Sequence, residues 1–444
     1  MSIETTSTKP ASALRLDDHE RAALAGLLEY PLTAALFGRR SRRFFRGAEI
    51  PDGTLAFRSK YEPAPLSEIE RLLILLAAGG VTGWSNLITR HDRYAPHLSS
   101  YSGSASGRTL ISAAGFQTSE LFFTDDSGTY IFRTRDFPVP VKRDEQGQTD
   151  LEELLAAHSA RVHRLSDKRI YLPRREPYME GHNTWVANAP GSLLLFPIGD
   201  LAQHTLLNLI FYVANGFCIY DDVHRRSIPG IEKFSDIVDV KNPYPLTFVD
   251  QYSLAELSAE LAVASFNGQL LLQALGLGGW SFDGIDRLTI LGASGDPEVP
   301  GLGFRYDTDT RWAQPNVTGR ERVFTAYCPP HFKDMYAATE ALHQRKFGVG
   351  GPFHPSTPGP WRESSRVRAS ALPHDAHFLE CVALQAQYMF DAFGKFPATV
   401  PSVFVLMYLQ AHHLDLDFYD AKFEAGAYLD THREHFERWH AEGD

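Results

Sequence analysis

Cysteine is scarce in this chain of 444 residues: Cys218, Cys328 and Cys381 are the whole set, an odd number with no Cys-x-x-Cys spacing. Neither a disulfide framework nor a thiolate zinc site is built from that set, and a reducing, cytoplasmic setting is the expectation. Long apolar runs are missing too. Leu72 to Val81 and Thr205 to Tyr220 are too short or are interrupted by Asn208, Asn215 and Gly216, so both are expected to be buried helices, not membrane spans. The start shows no basic stretch followed by an apolar one, so no secretion signal is expected. Positive charge is in deficit, with 43 Lys and Arg against 54 Asp and Glu and a formal net charge of −11. That field repels nucleic acid and anionic membranes, so neither is an expected partner and any phosphate site has to be made locally. The chain also carries no internal repeat.

What the chain does have is an ordinary globular balance, 43% hydrophobic and 22% charged residues, and length for a large core. The Ser, Thr, Lys and Pro of residues 1 to 13 predict a disordered tail. Helices are expected over Asp17 to Leu28 and Leu32 to Phe37, the second stopping at Gly38. Ser67 and Glu70 form a capping box for a third, which ends at Gly79-Gly80. Gly128 turns Leu121-Phe122-Phe123 into Thr129-Tyr130-Ile131-Phe132-Arg133, a hairpin. Ser192 to Phe196 reads as a strand and Ala202 to Ala214 as a helix. Ser253 and Glu256 predict a second capping box, opening a long helix with Asn267-Gly268 in its middle, where close approach by a partner or ligand would explain the glycine. Leu288 to Leu291 reads as a strand, and the last 70 or so residues as helical.

The segment Gly38-Arg39-Arg40-Ser41-Arg42-Arg43-Phe44-Phe45-Arg46 concentrates cationic side chains just past a helix end in an acidic protein. Arginine forks match phosphate oxygens and a serine hydroxyl fills a remaining position, so Arg-x-Ser-x-Arg suits a phosphomonoester; a solvated basic patch is the plainer reading of the same residues. His412, His413, Asp415 and Asp417, followed by His432, His435 and His440, offer ligand types for a metal, although not at zincin spacing. There a satisfied structural histidine cluster is the plainer reading and no metal is expected. Asp221-Asp222-Val223-His224-Arg225-Arg226 is polar enough to line a site, or is a solvated loop after a buried helix.

Four pieces then follow one plan in order: the Arg-x-Ser-x-Arg run, the Ser/Gly-rich loop and hairpin at 102 to 133, the long helix, and Ala274-Leu275-Gly276-Leu277-Gly278-Gly279-Trp280. This resembles the nitroreductase-like flavoprotein superfamily. Gly107-Arg108, Ser112-Ala113-Ala114-Gly115 and Gly128-Thr129-Tyr130-Ile131-Phe132 look most similar to its peptide azoline dehydrogenase branch. The similarity covers about residues 30 to 135 and 190 to 325. The chain departs from the pattern where Gly83-Trp84-Ser85-Asn86 replaces the usual Pro-Ser-Ser-x-Asn loop and where Ile111 stands for a proline.

What the resemblance implies is an α+β fold: a nitroreductase-like mixed sheet flanked by helices, with an insertion and a helical C-terminal extension. The expected divisions are a tail at 1 to 13, core at 14 to 135, insertion at 136 to 190, core at 191 to 328 and extension at 329 to 444, the last helping to form a substrate pocket. It implies FMN at a homodimer interface and hydride transfer through flavin N5, to or from a small organic or peptide-derived substrate. By position Arg39, Ser41 and Arg43 hold phosphate or the pyrimidine edge. Arg108 and Ser112 lie near the flavin, Gly276, Gly278 and Gly279 admit the ring near N5, and Arg320 and Arg322 complete the phosphate grip. Trp280, Phe116 or Tyr101 would stack on the ring, though core packing suits Trp280 as well. Tyr101, His91, His97 and Arg108 are candidate proton donors. The rivals are a flavin-free scaffold or partner subunit of the same fold, and a metal-dependent enzyme centred on His412, His413, Asp415 and Asp417.

Overall fold

The computed structural model describes residues 14–88, 95–135 and 150–440. The expected tail, most of the front of the insertion and His91 lie outside the described residues. Seven strands make the main sheet: β1 (Ser119–Asp125), β2 (Gly128–Phe132), β3 (Val162–Ser166), β4 (Leu193–Asp200), β5 (Gly278–Phe282), β6 (Val403–Val405) and β7 (Tyr408–His412). Their order is β5-β7-β4-β1-β2-β3, with β6 also paired to β4, and every pairing in this sheet is antiparallel. A parallel pair occurs in a small separate sheet, between Tyr244–Pro245 and Ile219–Asp221. The architecture is α+β, and no helix among the described residues is long and apolar enough to cross a membrane.

Sequence parity explains how the sheet is buried on both sides. Phe122, Leu194, Phe196 and Ile198 enter one apolar core, while their neighbours Leu121, Phe123, Leu193 and Leu195 enter another. Side chains two apart on a strand share a face, so continuous apolar strands feed both layers.

The helices that matter for the site are α1 (Asp18–Glu29), α2 (Leu32–Gly38), α3 (Glu68–Gly79), α4 (Leu201–Ala214), α5 (Leu246–Leu275), α6 (Met335–Phe347), α7 (Ala376–Phe393), α8 (Asp430–Arg433) and α9 (His435–Trp439). The capping box of α3 is complete: Glu70 N donates to Ser67 Oγ at 3.3 Å and Ser67 N to a Glu70 carboxylate oxygen at 2.6 Å. The long helix starts earlier than its Ser253 signal suggests. Ser253 is buried in its third turn, where the hydroxyl donates to Val249 O at 2.8 Å and receives Asn208 Nδ2 at 2.9 Å. That back-bonded serine is a helix-interior use of the same side chain that caps. Gly268 of α5 meets no open cleft: a Cβ there would stand 2.5 Å from the Leu409 side chain of β7.

Two further expectations are corrected. Residues 287–291 form a short helix, because Asp286 Oδ2 receives both the backbone N and the hydroxyl of Thr289, at 2.7 and 2.8 Å. The C-terminal extension is not all helical: β6 and β7 enter the middle of the main sheet, their runs of Val, Phe, Tyr and Leu favouring strand. The described end of the expected insertion likewise supplies an edge strand, β3.

Candidate functional site: a cationic row beside the glycine strand

After α2 the chain runs extended and is pinned from both sides. Gly279 N donates to Arg42 O at 2.8 Å, and Arg46 N to His413 O at 3.1 Å. Phe44 N donates to the Tyr419 hydroxyl at 3.2 Å and its ring stacks on Phe418 at 4.1 Å. The basic run and the glycine strand, more than 230 positions apart in sequence, are therefore adjacent.

Across Ser41, Arg42 and Arg43 the side chains alternate, as an extended backbone requires. Arg42 points inward. It is buried, and donates to Ala427 O at 2.8 Å, Gln273 Oε1 at 2.7 Å and Gly38 O at 3.3 Å. All three acceptors are neutral, and burial lowers the pKa of the guanidinium. Arg39 and Arg43 are half-buried and Ser41 is exposed. Arg43 rests 5.0 Å over the Trp280 ring, and Gln269 Nε2 lies 3.5 Å from Ser41 Oγ. Among the described residues neither the Arg39 nor the Arg43 guanidinium has a hydrogen-bond or ion-pair partner. The row Arg39, Ser41, Arg43 thus presents free donors from a rigid backbone, and α2 beside it exposes Leu32, Leu36 and Phe37.

The glycines have a different explanation from the one expected. Gly276 caps α5 at φ +77, and a Cβ there would lie 2.0 Å from Thr431 O. At Gly278 it would strike Leu414 at 2.1 Å, and at Gly279 Gln410 O at 2.0 Å. The space on that side is filled by the chain's own C-terminal segment, so these residues are glycine because β7, Leu414 and α8 pack against them. Trp280 is buried against Phe282, ring centres 4.6 Å apart.

Arg108 is likewise an internal fastener. It is buried and donates to Gly79 O at 2.9 Å, Ser119 O at 3.0 Å and Thr134 Oγ1 at 2.6 Å. Ser112 donates to buried Glu260 of α5 at 2.6 Å and accepts Gln117 N at 2.8 Å. Tyr101 meets Phe211 edge-on and Phe116 meets His204 likewise, at 4.8 and 5.0 Å. Arg320 and Arg322 open onto a separate cleft of 670 Å3 with Arg305 and His331. Asp221 receives the His224 ring nitrogen at 2.7 Å and the Tyr388 hydroxyl at 2.5 Å, beside a 590 Å3 cleft that α7 helps to line.

The quartet His412, His413, Asp415 and Asp417 does not converge. His412 Nε2 lies 3.1 Å from Arg42 O, and burial brings its pKa down to about 3. Asp415 caps the helix Leu416–Lys422, and Asp417 pairs with Lys60 at 2.6 Å. His432 accepts Leu429 N at 3.1 Å, in a helix that ends before His435. His413 alone of the four turns the other way, to meet Glu70, His435 and His440. Sequence reasoning missed Glu70 because its capping role already explains it. Burial opposes that carboxyl's charge, yet contacts from His413, His435 and His440 hold its pKa well below the usual range.

No family model and no curated protein matches the chain. Among solved structures it is similar to a protein from Ralstonia eutropha JMP134 that is assigned as a nitroreductase, with 15% identity and a TM-score of 0.27. That likeness covers 64% of this chain and 80% of the other.

Proposed function

We propose that the chain is an oxidoreductase that binds FMN at the row Arg39, Ser41 and Arg43, in a homodimer. One observation carries the reading: two guanidinium groups with no hydrogen-bond or ion-pair partner in the described chain, and the Ser41 hydroxyl between them, project from a backbone fixed to β5 and to residues 413–415. Arginine forks around a small hydroxyl are the donor set for a terminal phosphate. The residues fit the phosphate end of the cofactor. They do not offer an open cradle for the ring on the Cβ side of Gly276, Gly278 and Gly279, where the chain's own C-terminal segment sits. The resemblance of the sequence to the nitroreductase-like superfamily supports the class of reaction, and the exposed Leu32, Leu36 and Phe37 support a second copy closing over the row.

When bound, FMN supplies hydride transfer through N5. What the chain itself contributes is anchorage. Arg42 fixes the register of the segment by bonding Ala427, Gln273 and Gly38, so that the residues on either side of it face outward together. Trp280 underlies Arg43 and restricts its guanidinium, lowering the entropy lost on gripping an anion.

A second reading has its own observation. Arg108 and the three glycines serve the chain's own packing, which suits a flavin-free scaffold of the same fold. The absorbance of the gently purified protein separates the two. Flavin bands at about one equivalent per chain support the enzyme, whereas a colourless protein that gains none on incubation with FMN supports the scaffold.

A further inference from the structure

Three imidazoles and one carboxylate meet at a single point between α3 and the end of the described chain. Glu70 Oε1 lies 3.3, 3.0 and 3.3 Å from Nε2 of His413, His435 and His440. All four atoms lie within 4.8 Å of one another, and Glu70, His413 and His435 are buried. We propose that these four residues bind one Zn2+ ion, as a structural clamp between α3 and the C-terminal segment.

The spacing of the three rings is that of a four-coordinate zinc site. Zinc held by imidazole nitrogens at ~2.05 Å puts each ring centre ~3.2 Å from the ion, so tetrahedral angles set ring centres ~5.2 Å apart and ligand atoms ~3.3 Å apart. The three ring-centre separations are 5.0 Å for His413 and His435, 5.2 Å for His413 and His440, and 5.5 Å for His435 and His440.

The far sides of the rings are arranged accordingly. His413 Nδ1 bonds Ala64 O at 2.9 Å and His435 Nδ1 bonds Leu275 O at 2.8 Å. A carbonyl only accepts, so both Nδ1 atoms carry the proton, which leaves Nε2 of each ring, beside Glu70, as the ligand atom. His413 and His440 Nε2 each lie 3.3 Å from the Glu70 oxygen, so a single cation placed among the nitrogens satisfies the carboxylate and the rings together. Protons on all three rings would leave two uncompensated positive charges in the interior, a costly arrangement. His435 Nε2 moreover makes no hydrogen bond to Glu70 despite its 3.0 Å approach, as its ring is off that line. The other Glu70 oxygen is held by Ser67 N at 2.6 Å, which orients the carboxylate. Phe436 packs against all three rings, its centre 5.1 Å from His413, 5.1 Å from His435 and 5.0 Å from His440, and shields them from water.

With four protein ligands the ion has no open position, so its role is structural. It ties α9 to α3 just beyond α8, whose Thr431 backs Gly276 and donates to Gln273 O at 2.7 Å.

The test uses the full chain made without a histidine tag, equilibrated with Zn2+, dialysed and analysed for metal. We expect about one zinc per chain, and cobalt in its place to give the visible bands of four-coordinate Co2+. Glu70→Gln and His440→Gln, checked for native circular dichroism, should each lower zinc affinity at least tenfold, since even outer-sphere changes cost about 10- to 100-fold. His440 lies at the rim, so its variant is the one expected to fold in any case. Chelation should also speed proteolysis within residues 429–440. A wild-type chain that retains no zinc, or folded variants that retain as much as wild type, would overturn the proposal.

Discussion

Replacing Arg42 by methionine isolates the residue on which the cationic row is built. The substitution keeps most of the apolar stem and removes a guanidinium that serves Ala427 O, Gln273 Oε1 and Gly38 O. Ala427 O and Gln273 Oε1, which take the two short bonds, lose their donor at a cost of about 1 to 3 kcal/mol each, so a total near 4 kcal/mol is expected. At about 2.1 cal/mol/K per residue the unfolding entropy of 444 residues is ~0.9 kcal/mol/K, which turns that loss into a Tm lower by about 4 °C. Scanning calorimetry reads the shift, with Arg39→Ala as the comparison. Arg39 has no partner within the described chain and its variant should stay within about 1 °C of wild type. Adding Gln273→Leu to Arg42→Met should recover part of the loss, because the orphaned acceptor disappears with its donor. If Arg42→Met is as stable as wild type, or Arg39→Ala is the more damaging change, the division into an inward anchor and outward ligands is wrong.

Further outcomes follow from other buried groups. Lys346 of α6 is buried with no hydrogen-bond partner among the described residues, and desolvation lowers its pKa to about 7. The unfolded chain therefore binds more protons than the folded one between pH 7 and the ordinary lysine pKa, and stability from this group rises with pH over that range. Lys346→Met should be more stable than wild type at pH 7, with the gap in unfolding free energy narrowing by roughly 2 kcal/mol by pH 9. Gly276→Ala puts a Cβ against Thr431 O at φ +77 and should lower Tm by about 2 °C or more, with α8 and α9 losing amide protection from hydrogen exchange. Arg108→Lys loses two of three donor directions in a buried site and should destabilise the fold while leaving cofactor affinity per folded molecule unchanged, as read by titration with FMN.

Much of the scaffold was legible because local chemistry determines it. Asp17, Ser67 and Asp200 cap helices where their side chains reach a backbone N–H three residues on, and Gly128 turns the β1–β2 hairpin. Leu288 to Leu291 misled because four apolar residues suit a strand or one helical turn, and the Asp286 cap decides between them. β6 and β7 were hidden within a helical stretch, since strands that complete a sheet from far along the chain depend on partners that no local pattern names. The same holds for the site. Adjacency of the Arg-x-Ser-x-Arg run to the glycine strand followed from the resemblance and not from composition. The true occupant of the glycines' open side, the segment from Gln410 to Thr431, carries no signal of that role in sequence. Glu70 gave a capping signal and concealed its meeting with three histidines, each from a different position in the last part of the chain.

The central claim is that Arg39, Ser41 and Arg43 grip the phosphate of a flavin, and equilibrium titration of the purified dimer fraction with FMN, followed by flavin fluorescence, tests it most directly. Loss of one charge-assisted bond costs about 1.5 to 3 kcal/mol. Arg39→Ala, Ser41→Ala and Arg43→Ala should therefore each raise Kd roughly 10- to 150-fold, at unchanged Tm for Arg39 and Ser41. Wild-type protein that binds no FMN, or variants that bind it with wild-type affinity, would contradict the claim.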